Sequence, residues 1–279
     1  MRLIFALLTA ALVACGAHAA ERERPPERLA TLPPPSVTSA PHVEPPAPPA
    51  PSGPPALVAA APTLDLGVPG FLDAVVTVPV GARERRPVLV ATHGNYDNPA
   101  WTCEIFGEVA GDRPFVLCPR GLARRDTRPP DVRFEYAANA ALEREIDAAF
   151  AALAARFPEH VDAAAPIYAG FSQGAIMGVA IALRAPKRCA RLALVEGGSD
   201  QFTDEAAARF AKGGGERVLF ACGSPWCTPA ARRAAARLER AGVAAKVVVG
   251  EGVGHGYHGA VAERVRESFA WLAEARPGW

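Results

Sequence analysis

The rhythm of apolar and polar positions changes several times along the chain. Residues 3–14 form one short apolar run behind Arg2, and residues 16–66 then show no period at all. From about residue 67, short continuous apolar runs alternate with stretches of helical spacing. Asp73 to Val80 predicts a first strand or pair of strands, bounded by Pro79 and Gly81. Val88–Thr92, Phe115–Cys118, Ile167–Ala169, Leu192–Val195, Arg217–Ala221 and Ala245–Val249 read as further strands. Continuous apolar runs of this length suit strands covered on both faces. Between them, Leu142, Ile146, Ala149, Phe150, Leu153 and Phe157 recur every three or four residues, with Glu143, Arg144, Glu145 and Asp147 interleaved, and Pro158 ends the pattern. Ala175–Leu183 and Asp204–Ala211 also read as helices. Another is expected from an N-cap at Thr228, with Pro229 in the first turn, to a stop at Gly242. Val261, Val265, Phe269 and Leu272 mark a final amphipathic helix, and residues 119–136 read as a polar loop. The alternation predicts an α/β fold: a mainly parallel sheet with helices on both faces, and chemistry at the C-terminal ends of its strands.

Composition narrows this picture. The chain has 279 residues, half of them hydrophobic, with a net charge of +1. That suffices for one large domain and gives no basic surplus that would point to nucleic acid. Half of the 28 prolines fall before residue 63, in runs such as Pro33-Pro34-Pro35, Pro45-Pro46 and Pro48-Pro49. Proline fixes φ and lacks an amide proton, so residues 16–66 read as an extended, disordered tether. The globular domain is expected over residues 67–279.

Residues 1–15 read as a signal peptide, because the apolar run is too short to span a bilayer stably. Leu12-Val13-Ala14-Cys15 resembles a bacterial lipobox, which would make Cys15 a lipidated N-terminus and hold the domain to the outer cell envelope on its tether. Ala17-His18-Ala19 offers an alternative cleavage site after Ala19, which would release a secreted protein. Both readings place the mature protein outside the cytoplasm, and the first gives it a membrane contact through the lipid.

Candidate chemistry centres on Gly170-Phe171-Ser172-Gln173-Gly174. The serine follows a predicted strand and precedes a predicted helix, the context a nucleophile elbow needs. Positions two before and two after the serine must be small in so tight a turn, and Gly170 and Gly174 are. A serine hydroxyl needs a positioned base. His255, in Gly254-His255-Gly256 after the last strand, is the leading candidate. His258 is its competitor and more naturally begins the final helix; a His-x-x-His metal pair is a third reading, with no further ligand cluster evident. His93-Gly94-Asn95 follows the first long strand, so the backbone amides of Asn95 and Gln173 are the candidate oxyanion donors, worth roughly 3–4 kcal/mol each in a transition state. His93 reads as a brace for that loop.

Together His93-Gly94-Asn95, Tyr168-Ala169-Gly170-Phe171-Ser172-Gln173-Gly174-Ala175 and Gly254-His255 resemble the α/β-hydrolase superfamily, especially its carboxylesterase/phospholipase and dienelactone-hydrolase-like branch. The resemblance covers about residues 70–275. It implies hydrolysis of an ester, thioester or similar acyl bond through an acyl-enzyme, on a small-molecule or acyl substrate and without a cofactor. A peptidase is not separated from an esterase by these residues. The family usually carries its acid after the strand that here ends at Ala221, but Cys222-Gly223-Ser224-Pro225-Trp226-Cys227 contains no carboxylate. Some members carry it one strand earlier, where Glu196 and then Asp200 follow Val195. A missing acid also leaves open a binding module that keeps the fold without catalysis. Trp101, Arg120, Arg124, Arg125 and Tyr136 are available to shape a pocket; the arginines suit an anionic substrate, but solvated surface is the simpler reading of them. Export permits disulfides; Cys103–Cys118 and Cys222–Cys227 are the expected pairs, leaving Cys189 free.

Overall fold

The computed structural model describes residues 53–279. Cys15, both cleavage sites and most of the proline-rich tether lie outside the described residues. Among the described residues ten strands form: β1 (Thr63–Leu66), β2 (Ala74–Thr77), β3 (Arg86–Thr92), β4 (Phe115–Cys118), β5 (Leu122–Ala123), β6 (Phe134–Glu135), β7 (Val161–Phe171), β8 (Arg191–Val195), β9 (Arg217–Cys222) and β10 (Ala244–Val249). Six α-helices accompany them: α1 (Pro99–Ala110), α2 (Asn139–Arg156), α3 (Gln173–Arg184), α4 (Asp204–Lys212), α5 (Cys227–Arg240) and α6 (Gly259–Ala273).

Eight strands make one sheet in the order β1-β2-β4-β3-β7-β8-β9-β10. β2 runs antiparallel to both of its neighbours, β1 and β4; every pairing in the sheet from β4 through β10 is parallel. The parallel strands are the continuous apolar runs of the sequence, because helices cover both of their faces. Helices α1 and α6 pack on one face, and α2, α3 and α5 on the other. Leu89, Ala91, Phe106, Val261 and Leu272 belong to the core under α1 and α6, and Leu142, Val179, Leu192, Phe220 and Leu238 to the opposite core. Each fully buried Leu or Phe of this kind contributes roughly 1.5–3 kcal/mol of transfer free energy.

Four boundaries differ from the sequence pattern. The folded unit begins before residue 67: β1 pairs with β2 from Thr63 onward, and Leu57 is buried, its N–H donating to Ala82 O at 2.8 Å. Neither segment has an amphipathic period long enough to register. Helix α1 was not anticipated, although Asn98-Pro99 marks its start: the Asn98 side chain accepts from Ala100 N, and Pro99 occupies the first turn. Residues 119–136 are not all loop, since β5 and β6 form a short hairpin. Helix α5 begins at Cys227, so Thr228 lies inside the first turn rather than capping it, and Pro229 sits where the amide has no intrahelical partner anyway. Both expected disulfides, Cys103–Cys118 and Cys222–Cys227, are present, and Cys189 is free and buried. Among the described residues no helix is long and apolar enough to cross a membrane.

Candidate active site

The C-terminal ends of β3, β7, β8 and β9 converge on one spot. At the end of β7 the chain reverses into α3 through Ser172, whose φ of 48° lies in the left-handed region. A non-glycine residue held there is costly, of order 1–3 kcal/mol, and persists only where its surroundings over-determine it. They do so here: Ser172 N donates to Val195 O at 2.9 Å, and Gly174 N donates to His93 O at 3.0 Å. A Cβ on Gly170 would lie 2.7 Å from Ala175 N, and one on Gly174 would lie 2.6 Å from Thr92 O. The two glycines are therefore demanded by close backbone approach, and the result is a hydroxyl presented at the N-terminus of α3.

His255 reaches this hydroxyl from the loop after β10, with Nε2 2.9 Å from Ser172 Oγ. Its Nδ1 lies 3.0 Å from Glu196 Oε2. Glu196, at the end of β8, is only 6 % exposed. A carboxylate so buried must be hydrogen-bonded, and the loop after β9 supplies the donors. Gly223 N and Ser224 N donate to Glu196 Oε1 at 2.6 and 2.9 Å, and Ser224 Oγ donates to Oε2 at 2.5 Å. The Cys222–Cys227 bridge closes that same loop. Thus the segment in which the family resemblance expects an acid holds the acid of the neighbouring strand instead. The sequence put Glu196 ahead of Asp200 without separating them, and it carried no sign of Ser224 and the two amides, since backbone donors have no residue-type signal. Asp200, the second candidate, is exposed on the short 3-10 turn Ser199–Gln201 and makes no hydrogen bond to His255.

The remaining predicted groups fall as follows. Tyr96 N and Asp97 N donate to Phe134 O, and Gly94 N to Asp97 Oδ2; between them Asn95 N has no acceptor among the described residues. Gln173 N is the first amide of α3 and has no intrahelical partner. The Gln173 side chain does unforeseen work: Oε1 accepts from Tyr136 N at 2.9 Å and Nε2 donates to Tyr136 O at 3.0 Å. His93 is fully buried and stacked on Tyr136, with Nδ1 2.7 Å from Gly94 O and Nε2 3.0 Å from Arg120 O. Burial holds its pKa below the usual histidine value, against the opposing pull of the Gly94 and Arg120 carbonyls, and the ring braces the loop. His258 sits at the start of α6, its carbonyl accepting from Val261 N.

The pocket residues need correction. Tyr136 is buried behind the loop, its hydroxyl donating to Pro119 O, and does not face Ser172. Arg120 is tied to Asp65, and Arg124 to Asp126 and Glu135. Arg125 is exposed, and none of the three lines the pocket beside Ser172. Arg120 and Arg124 are paired with neighbouring carboxylates and Arg125 is exposed away from this cavity, so the arginines fit the surface reading and not that of an anionic substrate.

A hydroxyl, an imidazole and a buried carboxylate thus stand in one hydrogen-bonded line at the C-terminal ends of these strands, and the strand order with its flanking helices is that of the α/β-hydrolase fold. Among solved structures the chain is similar to TT1662 from Thermus thermophilus, at 17 % identity and a TM-score of 0.57, over 77 % of this chain and 98 % of that one. It is also similar to esterase PE8, at 17 % identity and a TM-score of 0.51, over 75 % and 100 % of the two chains. An acylaminoacyl peptidase from Pyrococcus horikoshii matches at 13 % identity and a TM-score of 0.52, over 78 % of this chain but 42 % of the peptidase. No protein-family model and no curated protein matches the sequence.

Proposed function

We propose that the protein is a serine hydrolase that cleaves carboxylic esters through an acyl-enzyme. The observation that carries the reading is the continuous line Ser172 Oγ–His255 Nε2 and His255 Nδ1–Glu196 Oε2, at 2.9 and 3.0 Å. His255 takes the proton of Ser172 as Oγ attacks the substrate carbonyl. Glu196 holds the ring with Nδ1–H toward itself and stabilises the imidazolium that forms. The amides of Asn95 and Gln173 receive the oxyanion. His255 then gives its proton to the leaving alcohol, and a water, deprotonated by the same imidazole, releases the acid and restores Ser172. The esterase among the structural neighbours supports this reading of the fold.

A non-catalytic binding module is disfavoured by the carboxylate within hydrogen-bond reach of His255. Ser172→Ala should abolish hydrolysis of p-nitrophenyl butyrate, and a fluorophosphonate probe should label Ser172 in the parent protein alone. Unchanged activity in the variant, or a parent that takes no label, would falsify the proposal. Cleavage of peptide amides faster than esters would move the reading to a peptidase.

The pattern ending at Cys15 supports a lipid-anchored envelope protein, with cleavage after Ala19 as the other route. Mass spectrometry of the mature N-terminus, from cells expressing the full chain, distinguishes a diacylated Cys15 from a free N-terminus after Ala19.

A further inference from the structure

The cavity beside Ser172 has a volume of about 510 Å³, and its walls are unusually aromatic for an open cleft. Tyr96, Trp101, Ile105, Phe171 and Tyr257 line it, with the Phe171 and Tyr257 rings 4.4 Å apart. Tyr96 and Trp101 retain 51 % and 41 % exposure, although large aromatic side chains gain from burial.

Three further features set these two rings apart from incidental surface aromatics. Tyr96 directly follows Asn95 and has a φ of 65°, which strains a bulky side chain and aims it where a relaxed backbone would not. The Arg124 guanidinium lies 4.7 Å from the centre of the Tyr96 ring, and the Arg133 guanidinium 4.3 Å from Trp101. Both guanidiniums are themselves fixed, Arg124 by Asp126 and Glu135 and Arg133 by Asp131. Each ring is thus anchored on one face by a cation and remains half exposed, which makes a preorganised stacking platform. No arginine or lysine lines the cavity; of its two acids, Asp97 is buried and already accepts from Gly94 N, Asn98 N and Tyr257 Oη, and Glu104 is exposed.

We infer that this cavity takes a planar aromatic group, so that the favoured substrate is an ester carrying an aryl ring near its scissile bond. The inference rests on the ester-hydrolase reading for the chemistry, and on the cavity alone for the ring.

The test compares pairs of equal carbon count that differ in planarity: methyl phenylacetate with methyl cyclohexylacetate, and benzyl acetate with cyclohexylmethyl acetate. In at least one pair the aryl ester should be preferred about tenfold in kcat/KM, the scale expected of ring stacking added to burial. Trp101→Leu and Tyr96→Ala should each bring that ratio toward one. Ratios below threefold in both pairs, or a preference that survives both substitutions, overturn the inference. Calorimetric titration of Ser172→Ala with the same esters reads the cavity without turnover, and an aryl preference in Kd is expected there too. If the parent protein hydrolyses neither these four esters nor p-nitrophenyl butyrate, the ester-hydrolase reading fails, and the ratio of Kd values still decides whether the cavity selects a ring.

Discussion

Glu196 offers the sharpest perturbation. In Glu196→Gln the side chain keeps its volume and one carbonyl oxygen, which can still accept from Gly223 N and Ser224 N. Its amide nitrogen then faces both His255 Nδ1 and Ser224 Oγ, where an anionic oxygen stood. An amide donor at that place makes Nδ1 an acceptor, so the neutral imidazole carries its proton on Nε2, pointing at Ser172. The base is thereby disabled by the wrong tautomer. Loss of the acid by a geometry-preserving amide costs about 10⁴ in kcat in the type case, or ~5.5 kcal/mol of transition-state stabilisation. The fold should lose less, about 1–3 kcal/mol, for one mismatched buried hydrogen bond. Steady-state kinetics on p-nitrophenyl butyrate, together with thermal unfolding of the same preparation, separates the two. Asp200→Asn, at an exposed residue with no hydrogen bond to His255, should leave kcat within twofold. A Glu196→Gln enzyme within tenfold of the parent would refute the assignment of the acid, and a larger loss in Asp200→Asn would transfer it.

Three further outcomes are expected. Replacing both cysteines in Cys222→Ser/Cys227→Ser removes the closure of the loop that carries the Gly223 and Ser224 amides; unfolding free energy should fall by about 2 kcal/mol and kcat should drop while KM holds, whereas an unchanged kcat would show that the loop keeps Glu196 in place unaided. Burial raises the carboxyl pKa of Glu145 above its ordinary 4.5, against the opposing Gly121 and Arg120 amides. The folded state therefore holds this proton more tightly than the unfolded chain, so its contribution is complete below pH 4.5 and is lost as pH rises through the folded value. Glu145→Gln should remove that loss, and the difference in melting temperature between variant and parent should grow in the variant's favour from pH 4.5 upward; a constant difference would contradict it. Cys189 is buried with its thiol pushed up to about 11, so at pH 8 iodoacetamide should alkylate it only after denaturation, as intact-mass measurement can show.

The reactive turn was legible because its constraint is local. Gly170 and Gly174 are required by contacts within a few residues and with the adjacent strand end, and such sterics select residue types that can be read in order. The same holds for β4, β8 and β9, whose apolar runs carry their own burial signal. Helix α1 shows the other case. Its start lay in Asn98-Pro99, yet its apolar face is uneven and gave no clear period.

By itself the sequence determined the α/β alternation, the serine at the end of β7, the histidine after β10 and a choice between two acids. Only the tertiary structure decided among the acids. Glu196 meets His255 because β8 lies beside β9, whose following loop turns two amides and a hydroxyl inward; no interval along the chain encodes that adjacency. The aromatic cavity is likewise an assembly of α1, the Asn95–Asp97 loop and the His255–His258 loop, some 150 residues apart in the chain. Burial of a carboxylate and exposure of an aromatic ring are properties of the packed molecule, set by which surfaces exclude water, and they exist only once the sheet has brought those segments together.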